Sequence, residues 1–163
     1  MPDLAYPGMR LLLCGINPSL WSGVAGYHFA RPSNRLWPTL YEAGFTPRRL
    51  HPSETHVLRE AGIGITNLVP RATARADELA ADEVRSGRRR LEGLAARFEP
   101  HVVAVLGIGA YRLAWDDRRA AVGEQQTSAG GARLWALPNP SGLNAHYQQA
   151  DLTRIFRALR AAL

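Results

Sequence analysis

Two stretches of this chain place the same tripeptide after an apolar run, and an asparagine leads each. Arg10-Leu11-Leu12-Leu13-Cys14 breaks into Gly15-Ile16-Asn17-Pro18-Ser19, and Arg133-Leu134-Trp135-Ala136-Leu137 breaks into Pro138-Asn139-Pro140-Ser141-Gly142-Leu143-Asn144. An asparagine side chain offers a carbonyl acceptor and two N–H donors, and the proline after it restricts its backbone. Each motif therefore presents a fixed amide to whatever lies beyond the run. Asn-Pro and Ser-Gly are also ordinary turn signals, so either motif alone reads as a strand-ending turn as well. A third segment, Gly107-Ile108-Gly109-Ala110-Tyr111-Arg112, begins like a dinucleotide-binding fingerprint. Arg112 stands where the third glycine belongs, which argues against a nucleotide there, and no cofactor is expected.

Other chemistry is excluded by composition. Cys14 is the single cysteine, so an internal disulfide and a four-cysteine zinc or iron–sulfur site are ruled out, and no metal site is expected. Within its apolar run Cys14 reads as a small buried strand residue. All 20 Lys+Arg residues are arginine, so no side-chain amine can form a Schiff base. Against 14 acidic residues they give a net charge of +6, which suits a polyanionic partner. The cluster Arg88-Arg89-Arg90 is read more plainly, as the solvated side of a helix whose apolar side is Val84, Leu91, Leu94 and Phe98.

The elements that must position the two asparagines alternate along the chain. LLLCGI, GIGITNLV (62–69), HVVAVLG (101–107) and RLWALPNP (133–140) are short apolar runs bounded by Gly or Pro, as expected of strands buried on both faces. Helical spacing falls between them at Leu36, Leu40 and Tyr41, at His56, Val57 and Arg59 to Ala61, and over 82–98. It returns at Leu152, Ile155, Phe156, Leu159 and Leu163. The stretch between Ser19 and Ser33 reads as a loop. Strands alternating with helices predict an α/β sandwich on a mainly parallel sheet, with ligands at the carboxyl ends of the strands. The two Asn-Pro-Ser loops then share one cleft. A chain of 163 residues without a linker-like tract predicts one domain over 1–163. No apolar run reaches the roughly 20 residues of a membrane span, and MPDLAYPG lacks the features of a signal peptide, so a cytoplasmic, membrane-free protein is expected.

With these motifs placed, GINPS at 15–19, HFARPSNRLW at 28–37, the YEAGFTPRRL that follows and LPNPSGLN at 137–144 together resemble the mismatch-specific uracil-DNA glycosylases. These are the bacterial relatives of thymine-DNA glycosylase within the uracil-DNA glycosylase superfamily. The resemblance implies a three-layer α/β/α sandwich and a monofunctional, monomeric hydrolase. It implies a double-stranded DNA substrate with uracil opposite guanine, cleaved at the N-glycosidic bond to leave an abasic site. By position it makes Asn17 the catalytic residue, Phe29 the aromatic stacked on the flipped base, Ile16 and Phe29 the source of backbone groups that read its edge, and Ser22 a small polar neighbour of the ring. Asn139 is set against the base. Ser141, Gly142 and Leu143 form the segment that enters the duplex and reads the opposite base, with Leu143 as the wedge.

The chemistry fits these assignments. A stacked nucleotide hides its anomeric carbon, so the base must be flipped into a pocket, which costs less from a mismatch. Bond cleavage then needs charge stabilisation and a placed water. The Asn17 carbonyl can orient that water but has too little basicity to take its proton, and no aspartate lies between Asp3 and Glu42, so modest turnover is expected. Arg31, Arg35 and Arg71 are candidates for phosphate contacts. Asn144-Ala145-His146 stands where relatives carry a Ser-Arg pair, which predicts a weaker wedge and a relaxed opposite-base preference. The alternatives are a damage-binding module of the same fold without turnover and an unrelated nucleotide-utilising α/β enzyme.

Overall fold

The apolar runs pair into one sheet, because each is too apolar to face water on either side. The computed structural model describes residues 1–163. β1 (Leu11–Gly15), β2 (Ile63–Asn67), β3 (Val102–Leu106) and β5 (Ala132–Leu137) run parallel. β4 (Gly123–Ala129) adds antiparallel to β5, giving the order β2-β1-β3-β5-β4. Every residue of β1, β2 and β3 is buried, as a strand covered by helices on both faces requires.

Alternation along β1 splits the core into two layers. Leu11 and Leu13 face Leu36 and Leu40 of α2 (Leu36–Glu42), Val57 and Leu58 of α3 (Thr55–Glu60), and Phe156 and Leu159 of α6 (Gln149–Ala161). Leu12 and Cys14 face Val84, Leu91 and Ala95 of α4 (Ala81–Phe98) and Tyr111 of α5 (Ile108–Ala114). Burying a residue the size of Phe156 or Leu159 contributes about 1.5–3 kcal/mol, so these stripes, more than helix propensity, hold the short helices in place. The three-layer sandwich with a mainly parallel sheet is the architecture that the sequence predicts.

The structure differs from the sequence reading in three places. Edge strand β4, GEQQTSA, has only Ala129 buried, so it carries no apolar run to mark it. The stretch after Ser19 contains a helix, α1 (Leu20–Ala25), capped by the Ser19 side chain at one end and by Gly26 at φ 79° at the other. Only Ser22 of α1 is buried, so no amphipathic period announces it. In the arginine cluster, Arg89 is exposed and Arg88 pairs with Glu92 at 3.2 Å, but Arg90 turns inward. It donates to the Asn67 carbonyl and the Thr66 hydroxyl at 2.6 and 2.9 Å and pairs with Asp3 at 2.6 Å, tying α4 and the N-terminal segment to the end of β2.

The strand order fixes where a cleft can open. β2 lies on one side of β1 and β3 on the other, so the connections leaving β1 and β3 diverge at their carboxyl ends, where open α/β sheets bind ligands. Asn17 lies just past the end of β1. No helix is long and apolar enough to cross a membrane.

Candidate active site

A cavity of about 450 Å³ opens at this divergence. Ile16, Asn17, Ser22, Phe29, Asn139, Ser141 and Leu143 all line it, so the two Asn-Pro-Ser loops do face one cleft. Gly142 does not line it. A Cβ at Gly142 would fall 2.6 Å from the Ser33 carbonyl oxygen, so that glycine seats its loop against the segment before α2.

The Asn17 amide is oriented by two acceptors. Its Nδ2 donates to the Arg71 carbonyl at 2.9 Å and to Thr73 Oγ1 at 2.8 Å. The Thr73 hydroxyl gives its own proton to the Arg75 carbonyl at 2.7 Å, so it can only accept from Asn17. A flipped amide would set oxygen against oxygen at both contacts. Asn17 Oδ1 is therefore the atom left without a protein partner.

Asn139 uses its amide the other way. Its Oδ1 accepts from Ser141 N–H at 3.0 Å, an Asx turn that leaves Nδ2 without a protein partner. A third amide was missed in the sequence. Asn67, the last residue of β2, is 5% exposed, lines the same cavity and has no side-chain hydrogen bond within the protein. Its signal is that GITN ends an apolar run in asparagine, as the runs before Asn17 and Asn139 do. Without a proline after it, Asn67 passed for part of the strand.

The aromatic wall depends on Gly15. A Cβ there would lie 2.6 Å from Asn67 Oδ1 and 3.0 Å from Phe29 Cζ, so no other residue lets both side chains approach the end of β1. Phe29 takes φ 51°, a left-handed conformation costing of order 1–3 kcal/mol in a residue with a Cβ. The indole N–H of Trp37 holds the Phe29 carbonyl at 2.9 Å. The Phe29 N–H has no protein partner, and neither does the Ile16 N–H, whose carbonyl accepts from Val69 at 2.9 Å. Ser22 is 2% exposed and its hydroxyl accepts from the Ala30 amide at 3.0 Å, closing the loop that presents Phe29.

Leu143 is 76% exposed at the cavity rim, on a loop held by its own polar groups. Ser141 Oγ accepts from Leu143 N–H at 3.2 Å, and Asn144 Nδ2 donates to the Asn139 carbonyl at 3.0 Å. Asn144 Oδ1 accepts from His146 N–H at 3.1 Å, so the Asn144 side chain braces the loop on both sides. Gly142 and Ala145 keep N–H groups without protein partners.

Two of the three arginines expected at phosphates are engaged elsewhere. Arg35 donates to the carbonyls of Tyr147, Ser141 and Asn144 at 2.6, 2.8 and 3.0 Å. Arg71 forms a bidentate pair with Glu83 at 3.0 and 2.9 Å. Arg31, exposed on the cavity rim, has no protein partner and is the one left for a phosphate. One carboxylate lines the cavity, that of Asp77, paired with Arg75 at 3.1 Å on a 3-10 turn at Ala76–Glu78. Sequence reading missed it by looking only near Asn17. His28 also lines the wall. Burial holds its pKa below the ordinary value, against the opposing effect of the bond that its Nε2–H donates to the Pro2 carbonyl at 2.8 Å.

The chain resembles in fold the solution NMR structure of a candidate uracil DNA glycosylase from Methanosarcina acetivorans, with a TM-score of 0.68 over 98% of this chain and 96% of that one. At 17% identity that likeness speaks for the fold alone. The family model of the uracil DNA glycosylase superfamily matches residues 2–160, a span that includes both Asn-Pro-Ser loops and the strands that carry them. The chain belongs to the uracil DNA glycosylase superfamily.

Proposed function

We propose that this protein is a monofunctional, monomeric glycosylase that flips uracil out of double-stranded DNA, G·U mismatches preferred, and hydrolyses its N-glycosidic bond. The observation that carries this reading is Asn17, whose NH2 group is committed to the 71–75 loop so that Oδ1 is the group left to accept a hydrogen bond from water. The bond to N1 of the base breaks with its electron pair going to the base, and the water oxygen adds to C1′. A carboxamide cannot take the water's proton. Asp77, the one carboxylate of the cavity lining, is the candidate to receive it once released from its pair with Arg75.

The remaining groups match the leaving base. Phe29 gives a stacking surface worth about 1–3 kcal/mol per base, and the free N–H groups of Ile16, Phe29 and Asn139 suit the two carbonyl oxygens of uracil, on which negative charge develops. The amide of Asn67 can accept from the ring N3–H. The preference for G·U follows from the flipping cost, since a wobble pair is held less tightly than A·U. No lysine is present to attack the abasic sugar, so a lyase step would fall to the terminal amine of Met1 at the cavity, and monofunctional excision leaves the backbone intact.

The test is incubation with an end-labelled G·U duplex followed by hot alkali. Cleavage at the uracil position only after alkali is expected. Tight binding to the G·U duplex with no alkali-labile product would replace this reading with a damage-binding module.

A further inference from the structure

Arg35 stands in an unusual setting for an arginine, behind the loop that carries Leu143. Its guanidinium meets no carboxylate, its Nε is buried without a partner, and its other nitrogens donate to three backbone carbonyls spread over Ser141 to Tyr147. Its own N–H donates to the Pro140 carbonyl at 2.9 Å, and its carbonyl accepts from Thr39 Oγ1 at 2.6 Å, anchoring the residue to the first turn of α2. A buried donor without a partner is unfavourable, so the remaining bonds of this half-buried guanidinium must be good, and hydrogen bonds from a charged donor are the stronger kind.

We infer that Arg35 is the positioning residue of the DNA wedge: it draws three loop carbonyls inward, holds residues 140–147 in one conformation and so presents Leu143 preformed. This rests on the proposed function and extends it, because it names the residue that holds the wedge loop from behind. The inward carbonyls also turn their negative ends away from the DNA, and the uncompensated charge of Arg35 lies beneath the loop. A preformed wedge need not be ordered when DNA binds, so its contribution goes to holding the flipped state. Gly142 supports the arrangement, since its close seat on Ser33 leaves the loop only one place to rest.

The test combines hydrogen exchange with a double-mutant cycle. In Arg35→Gln the amides of Leu143, Asn144 and His146 should exchange at least ten-fold faster than in the parent, while those of β1 and β3 keep their protection. Arg35→Lys, which can reach fewer carbonyls, should fall between. On an A·U duplex Arg35→Gln should slow single-turnover excision about ten-fold, and Arg35→Gln/Leu143→Ala should be no slower than Leu143→Ala alone, because both changes remove the same wedge. Unchanged loop exchange, or losses that multiply in the double variant, would overturn the inference. A parent that yields no abasic product even from the G·U duplex removes the proposed function instead, and the exchange result still decides whether Arg35 orders the loop.

Discussion

The two Asn-Pro-Ser loops read alike in sequence and are wired oppositely. In the loop after β1 the asparagine donates away from itself, to the 71–75 segment, and keeps its oxygen free. In the loop after β5 the asparagine accepts from its own loop and keeps its nitrogen free. One loop thus offers the cavity an acceptor suited to water, the other a donor suited to a carbonyl of the base. The tripeptide sets a turn at a strand end. What the turn presents is decided by its neighbours: Thr73 in the first case, Ser141 in the second.

A glycine in each loop gives the sharpest way to separate them. Gly15→Ala would press a methyl group on Asn67 and Phe29, and we expect at least a hundred-fold loss of excision on duplex and single-stranded uracil DNA alike. Gly142→Ala would press on Ser33 and lift the second loop, with a loss confined to duplex substrates. Equal losses across substrates for both would erase the distinction. Outside the first loop's sequence, in the turn at Ala76–Glu78, Asp77→Asn should lower the single-turnover rate roughly ten- to a hundred-fold if its carboxylate takes the water's proton. An unchanged rate would leave Asn17 to act with bulk water alone.

A smaller effect is expected in the second loop. Leu143→Ala removes apolar burial worth roughly 1.5–3 kcal/mol from the flipped state. Single-turnover rates should fall most on A·U, which must be opened in full, less on G·U and least on single strands. A uniform loss would mean that Leu143 touches the base itself. The smallest effect concerns His28, which lies in the wall beside Phe29. Burial lowers its folded-state pKa, so as pH falls the unfolded chain takes up the proton first. The neutral His28 contributes fully above the unfolded value near 6.5, and stability is lost as pH falls below it toward the folded value. Melting temperature should drop by a few degrees between pH 7.5 and 5.5, and by less in His28→Gln.

Legibility in the sequence followed burial. Strands covered on both faces write continuous apolar runs, which is why β1, β2, β3 and β5 were readable and the polar edge strand β4 was not. The cleft was readable from Asn17 and Asn139 because proline marks the point where each strand stops. Asn67 and Asp77 were not, since one sits inside a strand pattern and the other in a solvated 3-10 turn about 60 positions from Asn17, brought to the cavity only by the fold. The partners of Arg35 and Arg71 in the fold were not legible for a related reason. An arginine's type says that it is charged, and only packing says whether its partner is a phosphate, a carboxylate or a carbonyl.

The most direct test of the two wirings is to compare Asn17→Ala with Asn139→Ala on one labelled G·U duplex, measuring Kd and single-turnover rate for each. A group that orients water acts in the transition state, so Asn17→Ala should lose a hundred-fold or more in rate while Kd stays within a few-fold. Asn139→Ala, which removes a donor to the bound base, should weaken binding of uracil-containing duplex relative to the parent and lose less in rate than Asn17→Ala. Asn17→Ala excising as fast as the parent would contradict the account, as would a loss that lies wholly in Kd.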